Sequence, residues 1–284
     1  MRRGSGGRNN STDYALDQAT FKKLRDRITS ASGIFVPDDE NSRFILERRL
    51  LGRLRLRGIS SFQAYESTLD DAEMEEILDA VAVHETYFFR EQQQLKVFSE
   101  QILSELVGKR RPLRIWSAGC STGEEAYTIG MLLAEQGLLD KERASLTASD
   151  LSRRVVESGV RGLYGQSSFR TTDAGFKEKY FVHESTGTWR VREDLRALIR
   201  FEQFNLMRLN SHGWEAMPPG GFDLIFCRNV LMYFDEPAVK RLLGSLHSML
   251  ADGGYLLLGH AESLMPLGMG FEPVQFGREL VHKK

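Results

Sequence analysis

The residues best placed to do chemistry follow short apolar runs. Gly119 and Gly123 frame a turn of small residues, SAGCSTG, between the run LRIW that begins at Leu113 and two adjacent glutamates, Glu124 and Glu125. Glycine lets backbone approach a ligand where a side chain would collide. A helix opening at Glu124 would aim its unpaired N–H groups at the same point. The spacing is G-x-x-x-G, not the G-x-G-x-x-G of a dinucleotide site. Paired carboxylates at the helix start would also repel a pyrophosphate. The turn therefore suits a nucleoside ligand without phosphates there. S-adenosylmethionine, with a sulfonium cation, hydroxyls and an amino-acid tail, is the candidate. Asp150 ends the next apolar run and is placed to accept hydrogen bonds from ribose hydroxyls. Asn205, after FEQF, and Arg228 with Asn229, after FDLIFC, end further runs, where open α/β sheets bind ligands.

For these residues to converge, the runs must be neighbouring strands. Residues 113–116 and 145–149 read as the first two. The run FDLIFC, 222–227, reads as a central parallel strand buried on both faces. A helix over 237–250, a strand over 255–258 and a terminal hairpin around Gly277 complete a mostly parallel, Rossmann-like sheet with an antiparallel C-terminal hairpin. Before it, residues 14–90 read as a small all-helical domain, with Phe21, Leu24 and Ile28 at helical spacing and Ser60 with Gln63 as a capping box. A helix over 91–106 leads into the second domain, 91–284. Within that domain YFV, TWRV and LIRFEQF, about 177–204, break the alternation and read as a small antiparallel β insert. Residues 1–13 read as a disordered tail.

The chain has 284 residues and a net charge of −1, so bulk attraction to nucleic acid is absent. Cys120 and Cys227 lie far apart and read as reduced and packed, in keeping with a cytoplasmic enzyme. No run is long enough to span a bilayer, and no metal site is expected. Arginine is concentrated at positions 43, 48, 49, 53, 55 and 57, interrupted only by Glu47. On a helix, Phe44, Leu46, Leu50, Leu51 and Leu54 would gather on one side and Arg48, Arg49 and Arg55 largely opposite. Such a face would suit acidic protein helices, and also RNA.

Taken together, HETYFFRE, WSAGCSTGEEAYT, ASD, FNL and FCRNVLMYFD resemble the chemotaxis receptor methyltransferases, the CheR family. The resemblance covers nearly the whole chain from Tyr14 on. It implies an S-adenosylmethionine-dependent enzyme that methylates receptor glutamates and releases S-adenosylhomocysteine. It further implies that His84, Thr86, Arg90, Gly119, Glu125, Asp150, Asn205, Leu206, Asn229 and Val230 contact the cofactor or line its pocket. Arg90 and Tyr233 would lie nearest the transferred methyl. His84 departs from the family, which usually has asparagine there. Implied partners are the cytoplasmic methylation helices of chemoreceptors, docking on the arginine helix, with the β insert as a protein-contact module. The alternative, a methyltransferase acting on RNA or a small molecule, would leave the FFRE segment and the insert unexplained.

Overall fold

The computed structural model describes residues 14–108, 112–138, 140–209, 214, 217–262 and 269–284. The tail expected over residues 1–13 lies outside them. The chain divides into two compact units, the first ending at Val81 and the second running from Ala82 to Lys284.

The first unit holds four helices: α1 (Gln18–Ser32), α2 (Glu40–Leu56), α3 (Phe62–Ser67) and α4 (Asp71–Val81). Asp17 and Asp39 cap the first two by accepting from Thr20 N and Ser42 N. The cap of α3 is Ser61, not Ser60: its hydroxyl accepts from Ala64 N at 3.2 Å. Leu46, Leu50 and Leu54 are buried with Phe21, Leu24 and Ile28, as their spacing requires. Phe44 departs from the expectation and is 53% exposed. At 3.6 residues per turn it lies about 200° around the helix from Leu46. Arg53 of α2 and Arg57, which caps its end, close on the buried carboxylate of Glu73, at 2.7 and 3.3 Å.

Residues 82–91 are not helical, against the expectation of helix to about residue 90. The second unit then opens with α5 (Gln92–Val97), which passes through a π-turn (Phe98–Ile102) into α6 (Leu103–Val107). β1 (Leu113–Ala118), α7 (Glu124–Glu135), β2 (Ala144–Asp150) and α8 (Arg153–Arg161) follow. Next come β3 (Leu163–Gly165), α9 (Ala174–Tyr180), β4 (Phe181–Ser185), β5 (Thr188–Val191), α10 (Glu193–Arg196) and β6 (Ile199–Gln203). The chain closes with β7 (Phe222–Cys227), α11 (Glu236–Met249), β8 (Leu250–Leu258), β9 (Glu272–Phe276) and β10 (Glu279–Lys283). No helix among the described residues is long and apolar enough to cross a membrane.

Seven strands form one sheet in the order β6-β2-β1-β7-β8-β10-β9, parallel except where β10 runs against β8 and β9. The order reverses between β1 and β7, and open α/β sheets take ligands at such a switch point. β1 gives Ile115 to one face and Trp116 to the other. β7 likewise splits Leu224 and Phe226 from Ile225 and Cys227, so apolar cores cover both faces. The β insert differs from its expected make-up. LIRFEQF is not part of it, because Ile199–Gln203 pairs in parallel with β2 as an edge of the main sheet. The third strand of the insert is β3, giving the antiparallel order β3-β5-β4.

His282 of β10 is buried, and its Nε2 has no hydrogen-bond partner. Burial pushes its imidazole down to about 4. An unfolded imidazole takes a proton near pH 6.5. Between those values the unfolded chain binds more protons, so stability falls as the pH falls. The contribution of the neutral ring is whole above about pH 6.5 and lost toward pH 4, about 3 kcal/mol in all. His282→Leu should therefore flatten the stability profile across that window in denaturant titrations at stepped pH. Equal slopes for the variant and the wild type would show that this histidine titrates normally.

Candidate active site

The site is built where β1, β2, β6 and β7 end. Gly119 N and Cys120 N donate to Ser149 O at 2.8 and 2.9 Å, folding the β1 loop onto the end of β2. Asp150 then joins two loops: Oδ2 accepts from Ser121 N at 2.8 Å and Oδ1 from Ser152 N at 3.0 Å. Phe204 N donates to Asp150 O at 2.8 Å, which brings Asn205 to the same edge. The side chain of Asn205 caps the short turn that holds Leu206, accepting from Met207 N. Gly119 has φ 79°, and a Cβ there would lie 2.5 Å from Val230 Cγ2. Glycine is thus required for the β1 loop to meet the loop after β7. Gly123 is a correction to the reading that both glycines face a ligand. Its missing Cβ would meet Tyr164, Gly159 and Phe201, so it serves the packing of α7 on α8.

A buried ion network lies beneath. Arg228, at the end of β7, donates Nη1 to Glu125 Oε2 at 3.1 Å and Nη2 to Glu91 Oε2 at 3.0 Å. Nη2 also donates to Arg90 O at 2.6 Å. Ser117 Oγ holds the other oxygen of Glu125 at 2.7 Å, and Asn229 Nδ2 the other oxygen of Glu91 at 3.1 Å. Glu262 accepts from Asn229 N, Gly259 N and Met232 N, fixing the turn that carries Asn229 and Tyr233. Burial pushes the Glu125 carboxyl up, against the pull of Arg228 and Ser117. Burial also raises that of Glu91, but Arg228, Asn229 and His260 N outweigh it and hold it below the usual range. Glu124, the other half of the acidic pair, is buried away on Thr122 and Ser168, and burial raises its carboxyl.

Residues 84–91 cross these strand ends as an irregular segment that ends in a turn at 88–91. Ser121 Oγ donates to His84 O, Phe88 N to Ser168 O and Phe89 N to Thr128 Oγ1, while Arg90 O receives Arg228. Phe88 is fully buried among Tyr164, Phe169 and Phe181, all with ring centroids within 5.1 Å, so the β insert packs directly on this segment. The guanidinium of Arg90 donates to Glu85 O at 2.9 Å and lies 5.9 Å from the centre of Tyr87. The main chain thus brings His84, Thr86 and Arg90 to the edge that holds Gly119, Asp150, Asn205, Asn229 and Val230. Tyr233 stands in the first turn after β7.

Four non-glycine residues among those described have positive φ: Phe89, Glu91, Ser121 and Asn229. All belong to this segment or these loops, and strained backbone of this kind concentrates at functional sites. Among the described residues of this edge the acids Glu91, Glu125 and Asp150 outnumber the buried cation Arg228, so the site favours a positively charged ligand group. His84 Nε2 is buried without a hydrogen-bond partner, in a residue whose main-chain oxygen is held by the β1 loop. These features fit a nucleoside bearing a sulfonium and an amino group. Sequence reasoning places Arg228 beside Asn229 at a strand end without giving it a role, and it misses Glu91 and Glu262 as site-forming residues.

A family model described as CheR methyltransferase, SAM binding domain, matches residues 84–277. The chain is 31% identical to chemotaxis protein methyltransferase 2 of Vibrio cholerae, over 96% of this chain and 95% of that protein. It is 34% identical to chemotaxis protein methyltransferase 2 of Pseudomonas aeruginosa over 89% of each chain. With the chemotaxis protein methyltransferase of Salmonella typhimurium it shares 33% identity over 89% of this chain and 86% of that one.

Removing the shared cation should unfasten the site. Arg228→Met leaves Glu91 and Glu125 buried without a counter-charge and is expected to lower stability by about 3–5 kcal/mol. Adding Glu91→Gln and Glu125→Gln should restore much of that in urea titrations. A single variant as stable as the wild type would mean that the network carries no weight.

Proposed function

The chain belongs to the CheR methyltransferases, which use S-adenosylmethionine, and from that premise we propose that it methylates side-chain carboxylates on the acidic helices of a chemoreceptor. One observation carries the reading. Beneath the segment 84–91 the site is acidic, and on the segment's more exposed side it presents the guanidiniums of Arg90 and Arg170 around Tyr87. A cationic methyl donor suits the first surface and an anionic acceptor the second.

S-adenosylmethionine supplies an electrophilic methyl on a positively charged sulfur. A glutamate γ-carboxylate is already ionised near neutral pH, so the acceptor needs no general base. The work left to the protein is alignment and exclusion of water. Asp150 and Asn205 are assigned to the polar nucleoside end, and Glu125 to the amino-acid end. His84, Thr86, Gly119, Leu206, Asn229 and Val230 are assigned to the walls. Both reacting charges vanish in the products, so a tight clamp on either in the ground state would slow the reaction. Arg90 is therefore assigned as an orienting group, and Tyr233 is assigned with it to the neighbourhood of the transferred methyl.

The docking surface assigned to the receptor is the outer face of α2. Arg53 and Arg57 are engaged by Glu73, and Arg49 donates to Val81 O, so they are poor choices for a partner. Arg48 and Arg55 are exposed, each beside an aromatic ring, Phe44 and Tyr14. The β insert, with Val182 56% exposed on β4, is assigned to a second protein contact.

Incubation with labelled S-adenosylmethionine and a receptor signalling domain should yield base-labile label on the receptor. Label absent from protein would refute the substrate class. Arg90→Lys keeps the charge but loses the planar fork. It should lower kcat/KM by about tenfold for each 1.4 kcal/mol of lost transition-state stabilisation, with thermal stability little changed. A wild-type rate under subsaturating conditions would remove Arg90 from the chemistry. Arg48→Ala with Arg55→Ala should weaken receptor methylation and reduce its salt sensitivity, leaving cofactor affinity untouched. Unaltered methylation would mean that these arginines are only a solvated face.

A further inference from the structure

Arg170 belongs to none of the motifs, yet it is held over the segment 84–91. Its guanidinium carbon lies 3.7 Å from the centre of the Tyr87 ring, and Nη2 donates to Glu85 Oε1 at 3.1 Å. Its two neighbours are tied to Phe88. Phe169 stacks on Phe88 at 5.1 Å, and Thr171 Oγ1 donates to Phe88 O at 2.7 Å. The backbone on both sides of Arg170 is thus fixed to the residue that anchors the segment. Arg90 approaches the same tyrosine and donates to Glu85 O. Two guanidiniums from separate parts of the chain therefore converge on one ring, and both bind Glu85, Arg170 at its carboxylate and Arg90 at its main-chain oxygen.

That carboxylate is weakly held. Its side chain is 71% exposed and that of Arg170 is 44% exposed, so the pair is an ordinary solvated one. Glu85 takes a single guanidinium N–H, whereas an arginine fork is shaped to hold a carboxylate through two. We propose that Arg170 is a substrate-recognition residue that grips the carboxylate to be methylated, and that Glu85 is its internal stand-in, displaced when the substrate glutamate arrives. The inference rests on the reading that the substrate is a protein glutamate. It assigns binding to Arg170 and leaves orientation during transfer to Arg90. Stacking on Tyr87 keeps the fork from following the substrate out of line.

Steady-state methylation of a receptor signalling domain at saturating S-adenosylmethionine tests this, with calorimetric affinity for S-adenosylhomocysteine as the check on the fold and cofactor pocket. Glu85→Gln removes the competitor and should lower KM for the receptor by about two- to fivefold, the range of an exposed ion pair, with kcat unchanged. Arg170→Gln should raise KM by roughly tenfold. Arg170→Lys should recover only part of that loss. In the double variant the Glu85→Gln gain should vanish, because Glu85 acts only through Arg170. Calorimetric affinity should stay at the wild-type value throughout. If the wild type labels the receptor but Glu85→Gln leaves KM unchanged or raises it, the pair is a structural clip and the proposal fails. It fails equally if Arg170→Gln leaves KM unchanged. If the wild type labels no receptor, the substrate reading falls and the proposal with it.

Discussion

One buried cation holds the active edge together. Arg228 is 2% exposed along its side chain and is bound at once to the first turn of α7, through Glu125, and to the crossing segment, through Glu91 and Arg90 O. Those three places lie far apart along the chain. Hydrophobic burial brings β1 and β7 side by side, but it is non-directional and does not set the height or tilt of a loop above the strand ends. The forked, charge-assisted bonds of one arginine do. A buried ion pair adds little net stability over an apolar equivalent of the same shape. What it supplies is one permitted arrangement, because a shift of any partner leaves a charge unmatched.

Strain is stored where this fastening acts. The four positive φ angles, at Phe89, Glu91, Ser121 and Asn229, stand next to the bonds that impose them. Asn229 donates from both its main chain and its side chain, to Glu262 and Glu91. Ser121 is held by Asp150 below and gives its hydroxyl to His84 O above. Left-handed backbone at such residues costs on the order of 1–3 kcal/mol each. It persists because two buried carboxylates and an aspartate over-determine the local path. The aromatic packing around Phe88 adds a second fastening from the β insert, so the crossing segment is gripped on both sides.

Much of this was legible in the residues. The turn after β1, the run FDLIFC and the terminal hairpin each carry a local signature that tertiary packing then followed. Ile199–Gln203 was misread as part of the insert because a five-residue alternating segment, IRFEQ, has the same appearance in either kind of sheet. Its partner, the open edge of β2, decided the matter. Phe44 was misplaced because a cluster of apolar residues was read without its angular phase. The bonds of the Arg228 network left no trace, since they join residues as many as 138 positions apart and its charged members each look like an ordinary surface charge. Local pattern reveals which residues reach the strand ends. It does not reveal which of them bind one another there.

The near contact of Gly119 and Val230 makes two distant positions behave as one. The space that a methyl would need at 119 is already filled by Cγ2 of residue 230. A larger residue at 119 requires a smaller one at 230, and even then it inherits a left-handed backbone. Positions 119 and 230 can therefore change only together, although they stand on loops that follow different strands.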